Sequence, residues 1–190
     1  MSVTAVPIAP TPRRVLAMLW GGLALALLAA LWLAWAGTSQ AVAQTGTTDQ
    51  FLAWNARQAG VQTTASGLQY KVLQAGEGAK PTDADVALIS YKGTLRDGTV
   101  FDQNERSPLP VAQVVPGFSE GLKLMQKGGK YRLWIKPELG YGERAAGPIP
   151  ANSLLVFDVE LIEFLPMAVL QQMQMQQQMG GAPGGMPGQR

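Results

Sequence analysis

The segment VALISYKGTLRDGTVFD, residues 86–102, predicts the first β-hairpin of this chain. Two apolar runs flank a polar turn at Asp97 and Gly98, and both residues tolerate the positive φ angles of a tight hairpin turn. Apolar runs bounded by turn residues are typical of β-strands. The hairpin also carries Tyr91, Phe101 and Asp102, which fit either an ordinary hairpin or one wall of an aromatic pocket.

Three further stretches alternate apolar with other side chains, as strands with one buried face do. They are GLQYKVL from Gly67, KYRLWIKP from Lys130 and LLVFDVELIEF from Leu154. The apolar positions that share a face are Leu68, Tyr70 and Val72; Tyr131, Leu133 and Ile135; and Leu155, Phe157, Val159 and Leu161. These stretches predict three more antiparallel strands.

One internal helix is predicted, over GFSEGLKLMQKGG from Gly117. Phe118, Leu122 and Met125 form an apolar stripe, and the glycine pair at residues 128–129 predicts the end of the helix. An antiparallel sheet with one helix against one face is an α+β arrangement. We predict this fold class for a domain of residues 66–165.

The composition excludes several classes of enzyme. The 190 residues include no histidine and no cysteine, so Ser-His-Asp and Cys-His nucleophiles, the usual zinc ligands and thiol redox chemistry are absent. The formal net charge of +2 is too small for a surface that follows nucleic-acid phosphates. We therefore expect no cofactor, no metal and no nucleic-acid partner.

Residues 1–43 are predicted to be either a signal peptide or an N-terminal membrane anchor. The segment Val15–Ala36 has no polar side chain and follows Arg13 and Arg14, and a run of that length can span a bilayer. The triplet Ala41-Val42-Ala43 is typical of a signal-peptide cleavage site. Both interpretations stay open, and both predict that the rest of the chain is exported.

Residues 44–65 are predicted to form a spacer and a short helix. Thr48 or Asp49 fits the N-cap, Gly60 fits the end, and Phe51 and Trp54 lie three residues apart. We expect this helix to pack against the edge of the domain, with self-association as the alternative.

Residues 166–190 are rich in Gln, Met, Gly and Pro, and Arg190 is their only charged side chain. This composition predicts a disordered tail, with a short helix before Met179 as an alternative. Methionine side chains are soft and adaptable, so Met167, Met173, Met175 and Met179 also suit contact with exposed apolar segments of client proteins.

Three segments together resemble the FKBP-type peptidyl-prolyl cis-trans isomerases. They are ISYKGTLRDGTVFD, QVVPGFSEGLKLM and KPELGYGERAAGPIPANSLLVFDVEL, and the resemblance covers about residues 67–164. It implies a twisted antiparallel sheet wrapped around one short helix. The export signal, the helix FLAWNARQAGV and the segment SGLQYKVL look like periplasmic FKBPs of Gram-negative bacteria. That likeness implies a periplasmic domain, soluble after cleavage near Ala43 or anchored to the inner membrane.

The resemblance also implies a site. The matching catalytic positions are Tyr91, Phe101, Asp102, Tyr141 and Phe157, and the matching substrate-binding positions are Val114, Val115, Phe118 and Ile149. Patterning alone would make the strand aromatics core residues and Asp102 a turn residue. Phe118 stands where the family usually has a tryptophan, and the segment ERSPLPVAQVVPGF is shorter than in many relatives.

The implied function is isomerisation of X-Pro bonds in unfolded or partly folded polypeptides, to assist folding. The smaller Phe118 implies reduced affinity for macrolide inhibitors. Two alternatives stay open. The first is a catalytically weak FKBP-fold chaperone that binds clients through the cleft and tail, and the second is a membrane-tethered scaffold that only positions the tail.

Overall fold

The structure of the protein is a computed structural model that describes residues 17–18, 20–33 and 46–180, with side chains described as far as residue 176. The chain divides into two units, Met1–Gly46 and Thr47–Arg190. In the first unit, residues 17–18 and 20–33 are helical (α1), and their side chains are exposed. Within the described residues, no helix is long and apolar enough to cross a membrane. The predicted cleavage triplet at residues 41–43 lies outside the described residues.

The second unit contains one antiparallel sheet of six strands, which confirms the predicted α+β class. The strand order across the sheet is β1-β2-β5-β6-β3-β4. The strands are β1 (Val61–Thr63), β2 (Gln69–Gln74), β3 (Asp85–Leu95), β4 (Val100–Pro110), β5 (Lys130–Ile135) and β6 (Leu155–Pro166). The helices of this unit are α2 (Thr48–Asn55), α3 (Pro116–Leu124) and α4 (Met167–Gly180).

The predicted hairpin is present as β3 and β4. Its turn closes through a hydrogen bond of 2.8 Å from Leu95 N to Thr99 O, and Gly98 adopts a φ of 89°. The Asp97 carboxylate accepts from Thr99 N at 2.9 Å. Turn chemistry that is local in sequence therefore determined this element, as expected for an Asp-Gly turn.

The core lies between α3 and the inner face of the sheet. The predicted inward positions of β6 are all nearly or fully buried, and so are Phe118, Leu122 and Met125. Gly121 allows α3 to approach β5 closely, because a Cβ at this position would lie 2.4 Å from Leu133 Cδ1. Val72 departs from the predicted pattern, since it lies near the end of β2 and is exposed.

The end of α3 differs from the prediction. The helix ends at Leu124, because Met125 takes an extended conformation with φ −78° and ψ 154°. Gly128 and Gly129 instead lead into β5, where Gly128 N donates to Leu161 O at 2.7 Å. The glycine pair therefore belongs to the connection after the helix.

Helix α2 packs against the domain, but on the outer face of the sheet over β5 and β6 and not at the predicted edge. Its Phe51 forms a small second core with Trp134 and Leu154. A buried hydrogen bond of 2.9 Å joins Asn55 Nδ2 to Gln69 Oε1 on β2. The helix boundaries differ from the prediction, since Thr47 forms the N-cap through a capping box and the helix ends at Asn55, before Gly60.

The disorder predicted as the default for residues 166–190 is wrong for its first part. Helix α4 continues directly from β6, and Met167 N donates to Ala84 O at 3.0 Å. Gln and Met are good helix formers, and the β6 strand provides a fixed start. The helix corresponds to the predicted alternative, a short helix before Met179. Residues 181–190 lie outside the described residues.

Candidate active site

Four aromatic rings from different elements converge between α3 and the inner face of the sheet. Phe118 of α3 and Phe157 of β6 are closest, with ring centroids 4.7 Å apart. Phe101 of β4 meets Phe157 edge-to-face at 5.4 Å. Tyr91 of β3 lies 6.2 Å from Phe118 and 6.3 Å from Phe157. Tilted and edge-to-face pairs in this range are favourable, so the cluster is one apolar surface.

A β-bulge brings Phe101 and Asp102 to the same side of the sheet. Gly93 pairs with Asp102 on β4, whereas Thr94 pairs with Val100, so Phe101 has no partner on β3. In a regular strand, neighbouring side chains point to opposite faces. A bulge removes this alternation and redirects a side chain, so Phe101 reaches Phe157 while Asp102 reaches Tyr91.

The Tyr91 hydroxyl donates to Asp102 Oδ2 at 2.7 Å. Burial, the hydrogen bond to Asp102 and the negative charge of Asp102 together raise the pKa of Tyr91 to about 12. Burial is the largest cause, because it disfavours the charged phenolate. Tyr91 is therefore a protonated donor at every physiological pH, and Asp102 is its acceptor.

The predicted substrate-binding positions Val114, Val115 and Phe118, at the start of α3, belong to the same buried cluster. Pro116 is the first residue of α3, where its fixed φ and missing N–H fit the first helical turn. Val115 O accepts from Phe118 N at 2.9 Å and from Ser119 N at 3.0 Å. Phe118 is 3% exposed, and Val114 and Val115 are partly buried against the same core cluster. The first turn of α3 thus presents Phe118 as the floor of the aromatic surface.

Tyr141 and Ile149 lie in the loop between β5 and β6. The loop is closed by hydrogen bonds of 2.8 Å from Gly142 N to Pro137 O and from Asn152 N to Gly142 O. Ile149 is 5% exposed within the core, and Tyr141 is 44% exposed. The Tyr141 side chain therefore faces solvent.

The structure thus brings together Tyr91, Phe101, Asp102, Phe118 and Phe157 through measured contacts. Val114, Val115 and Ile149 belong to the same buried cluster. Sequence reasoning missed Gly93, on which both Phe101 and Phe157 rest. A glycine inside an apolar strand is a known signal for a bulge or a close approach, and that signal was present in the YKGTL segment.

A cleft of about 600 Å³ lies along the middle strands, and of the nine predicted positions it borders only Tyr91. Its lining includes the charged residues Lys92, Lys130, Asp158 and Glu160. Lys130 pairs with Glu160 at 3.0 Å, and Asp158 accepts two hydrogen bonds from Arg132. Because charged side chains line this cleft and only one of the nine predicted positions borders it, the cleft is distinct from the aromatic cluster. In the part of the chain that the structure describes, no cluster of three potential ligands is arranged to hold a metal ion.

The comparisons with known proteins agree with this geometry. Residues 77–162 match the family model of FKBP-type peptidyl-prolyl cis-trans isomerases, and residues 33–72 match the domain amino-terminal to such isomerases. The crystal structure of FkpA from Escherichia coli superposes with a TM-score of 0.62 at 38% identity, covering 77% of this chain and 71% of that one. A peptidyl-prolyl isomerase from Pseudomonas syringae has a TM-score of 0.57 at 34% identity, covering 61% of this chain and 89% of that one.

Curated relatives match more than half of this chain. FkpA from Aeromonas hydrophila is 48% identical over 118 residues, which are 60% of this chain and 44% of that protein. The 22 kDa FKBP-type isomerase of Escherichia coli K12 is 48% identical over 131 residues, which are 66% of this chain and 63% of that protein. The chain therefore spans less than half the length of the first relative and under two thirds of the second.

The six-stranded antiparallel sheet, with one helix packed on its inner face and an aromatic cluster between them, is an FKBP-like fold. The family model and the superposition with FkpA show that this chain belongs to the FKBP-type peptidyl-prolyl cis-trans isomerase family.

Proposed function

We propose that this protein catalyses cis-trans isomerisation of X-Pro bonds in unfolded or partly folded exported polypeptides, and so assists their folding. The observation that carries the proposal is the four-ring aromatic surface with the Tyr91–Asp102 hydrogen bond beside it. Proline rings pack well on aromatic faces, and the site has no need of histidine, cysteine or a metal.

The physics of the reaction fits this surface. Amide resonance gives peptide bonds a rotation barrier of about 18–20 kcal/mol. The planar amide is polar and well hydrated, whereas the twisted amide has lost part of that polarity. An apolar pocket that removes water and fits the twisted form therefore lowers the barrier. Each tenfold acceleration needs about 1.4 kcal/mol of such preference.

The polar residues orient the substrate and transfer no proton. Asp102 accepts the hydrogen bond of Tyr91, and its negative charge lies beside the position of the displaced carbonyl. The hydroxyl of Tyr141 and the backbone N–H of Val115 hold the substrate chain on either side of proline. Val114 and Ile149 complete the apolar rim. In this assignment the aromatic rings of Phe101, Phe118 and Phe157 contact the proline ring itself.

The cellular setting of this proposal is the periplasm. One curated relative is named as an outer membrane protein of Legionella longbeachae, and the apolar segment Val15–Ala36 supplies an export signal in this chain. The same site would bind macrolide inhibitors with reduced affinity, because Phe118 gives a smaller floor than tryptophan.

The test is catalysis of a series of X-Pro tetrapeptides by the full chain in mild detergent. Asp102→Val removes the acceptor of Tyr91, and Tyr141→Phe removes one hydroxyl and nothing else. We expect a clear acceleration that falls about tenfold or more in Asp102→Val and less in Tyr141→Phe, as expected for losing one or two hydrogen bonds. An uncatalysed rate from the folded protein would refute the enzymatic function.

One feature favours a second function, a holding chaperone. Helix α4 presents Met173 and Met175 to solvent, with exposed fractions of 48% and 58%. No charged residue occurs in this helix, so its surface suits apolar segments of clients. Isomerisation depends on proline in the substrate, whereas a holding chaperone should suppress the aggregation of proline-poor clients equally well.

A further inference from the structure

Gly93 lies where two rings of the aromatic surface rest on β3. It pairs with Asp102 on one side and with Phe157 on the other. A Cβ at this position would lie 2.6 Å from both Cε2 and Cζ of Phe101, and 2.9 Å from Cε1 of Phe157. Real Cβ atoms essentially never approach other heavy atoms this closely. Any other residue at position 93 would therefore have to displace a ring.

The need for glycine here is spatial. The glycines with positive φ include Gly98 in the hairpin turn, but Gly93 is not among them. Its backbone pairs with both neighbouring strands beside the bulge on β4, and it does so without a positive φ. What the missing side chain provides is room for the rings.

Of the two rings, Phe101 has the greater freedom to move. Phe157 is 7% exposed and is packed 4.7 Å from Phe118, so the closely packed core restrains it. Phe101 is only partly buried and stands on a bulge next to Asp102. A side chain at position 93 would push Phe101 outward and would disturb the acceptor of Tyr91 with it.

We propose that Gly93 is a positioning residue that sets the width of the proline pocket, by letting Phe101 and Phe157 meet directly over β3. The inference rests on the proposed isomerase function for its kinetic consequences. Its structural claim, that Phe101 and Phe157 both pack against Gly93, is independent of catalysis.

The first test compares Gly93→Ala with Gly76→Ala in the full chain. A Cβ at Gly76 would lie 2.4 Å from Gln126 O and 2.5 Å from Lys127 O, so this control creates an equally close contact with a backbone segment that contributes no ring to the aromatic surface. Overpacking lowers stability in both variants. We expect KM for an X-Pro peptide to rise about tenfold or more only in Gly93→Ala, because loss of folded protein lowers the apparent kcat but leaves KM unchanged.

The second test uses Phe101→Leu, which lacks the Cε2 and Cζ atoms that a new Cβ would meet. In this background, Gly93→Ala should change KM by less than about threefold. The proposal is overturned if Gly93→Ala raises KM by the same factor in the Phe101→Leu variant as in the unmodified chain. If Gly93→Ala alone does not fold, recovery of folding in the double variant supports it, and failure of both overturns it.

A third measurement separates this inference from the proposed function. The aromatic NMR resonances of Phe101 and Phe157 should move in Gly93→Ala and stay in place in Gly76→Ala. Inactivity of the unmodified chain would refute the proposed isomerase function. The chemical shifts of Phe101 and Phe157 would still test whether the two rings pack against Gly93. Unchanged resonances of both phenylalanines in Gly93→Ala would overturn the role of Gly93.

Discussion

At the scale of single residues, Tyr91 couples the aromatic surface to the polar edge of the site. Its ring packs on Phe118 and Phe157, and its hydroxyl is held by Asp102 at 2.7 Å. Replacing Asp102 by Asn removes the negative charge, so the pKa of Tyr91 should fall from about 12 but stay above 10.0, because burial is the largest cause of its rise. The measurement is a spectrophotometric titration of phenolate absorbance. The signal of Tyr91 is the difference between each protein, unmodified or Asp102→Asn, and the same protein carrying Tyr91→Phe. Titration of Tyr91 at the ordinary pKa in the unmodified chain would contradict the described environment.

The same residue predicts how stability depends on pH. The pKa of Tyr91 in the folded state, about 12, is above its ordinary value of 10.0, so the unfolded chain loses this proton first. The stabilisation from the protonated phenol is therefore complete below pH 10 and is lost as the pH rises towards 12. Urea unfolding across this window should show a smaller decline in Tyr91→Phe than in the unmodified chain. Equal declines would assign the loss to other groups, including Tyr131, whose pKa burial also raises.

At the scale of elements, the hydrogen bond between α2 and the sheet is testable apart from the site. Asn55 donates to Gln69 Oε1 at 2.9 Å, and both residues are buried. Asn55→Ala leaves that oxygen without its donor, which should cost about 1–3 kcal/mol of unfolding free energy. Gln58→Ala is the control, because its hydrogen bond to Trp54 O is exposed and should contribute little. Urea unfolding measures both, and kcat/KM should not change in either. Equal stability of the two variants would contradict a structural role for the buried pair.

The elements also show which features the sequence could predict. The hairpin at Asp97-Gly98 and the stripe of Phe118, Leu122 and Met125 depend on local turn chemistry and periodicity, and both predictions are confirmed. The bulge at Phe101 depends on how β4 pairs with β3 while β3 pairs with β6. Such a register joins residues far apart in sequence, so alternation alone could not place Phe101 and Asp102 on one side. The resemblance to a known family supplied those residues, and patterning would have left them in the core or in a turn.

Gly93 and the end of α3 were missed for the same reason. A glycine within a strand indicates a close approach, but which atoms approach is known only once Phe101 and Phe157 are seated. Helix α3 ends before Met125 because that residue enters the core in an extended conformation. The glycine pair at residues 128–129 predicted a later helix end, but tertiary packing ends the helix at Leu124.

At the scale of the whole molecule, the proposed isomerase activity and the proposed client binding by α4 should be separable. Met173 and Met175 are exposed on α4, which continues from β6. The double substitution Met173→Gln and Met175→Gln removes the soft apolar surface and adds no charge, and Gln and Met have similar helix propensity. We expect kcat/KM for an X-Pro tetrapeptide to stay within about twofold of the unmodified chain, because short peptides need only the aromatic site. Suppression of aggregation of a proline-poor client should fall clearly, as followed by light scattering.

The control is Gln172→Ala on the same helix, which leaves both methionines in place. If the double variant holds the client as well as the control does, α4 does not bind clients, and the aromatic surface alone would account for any holding activity.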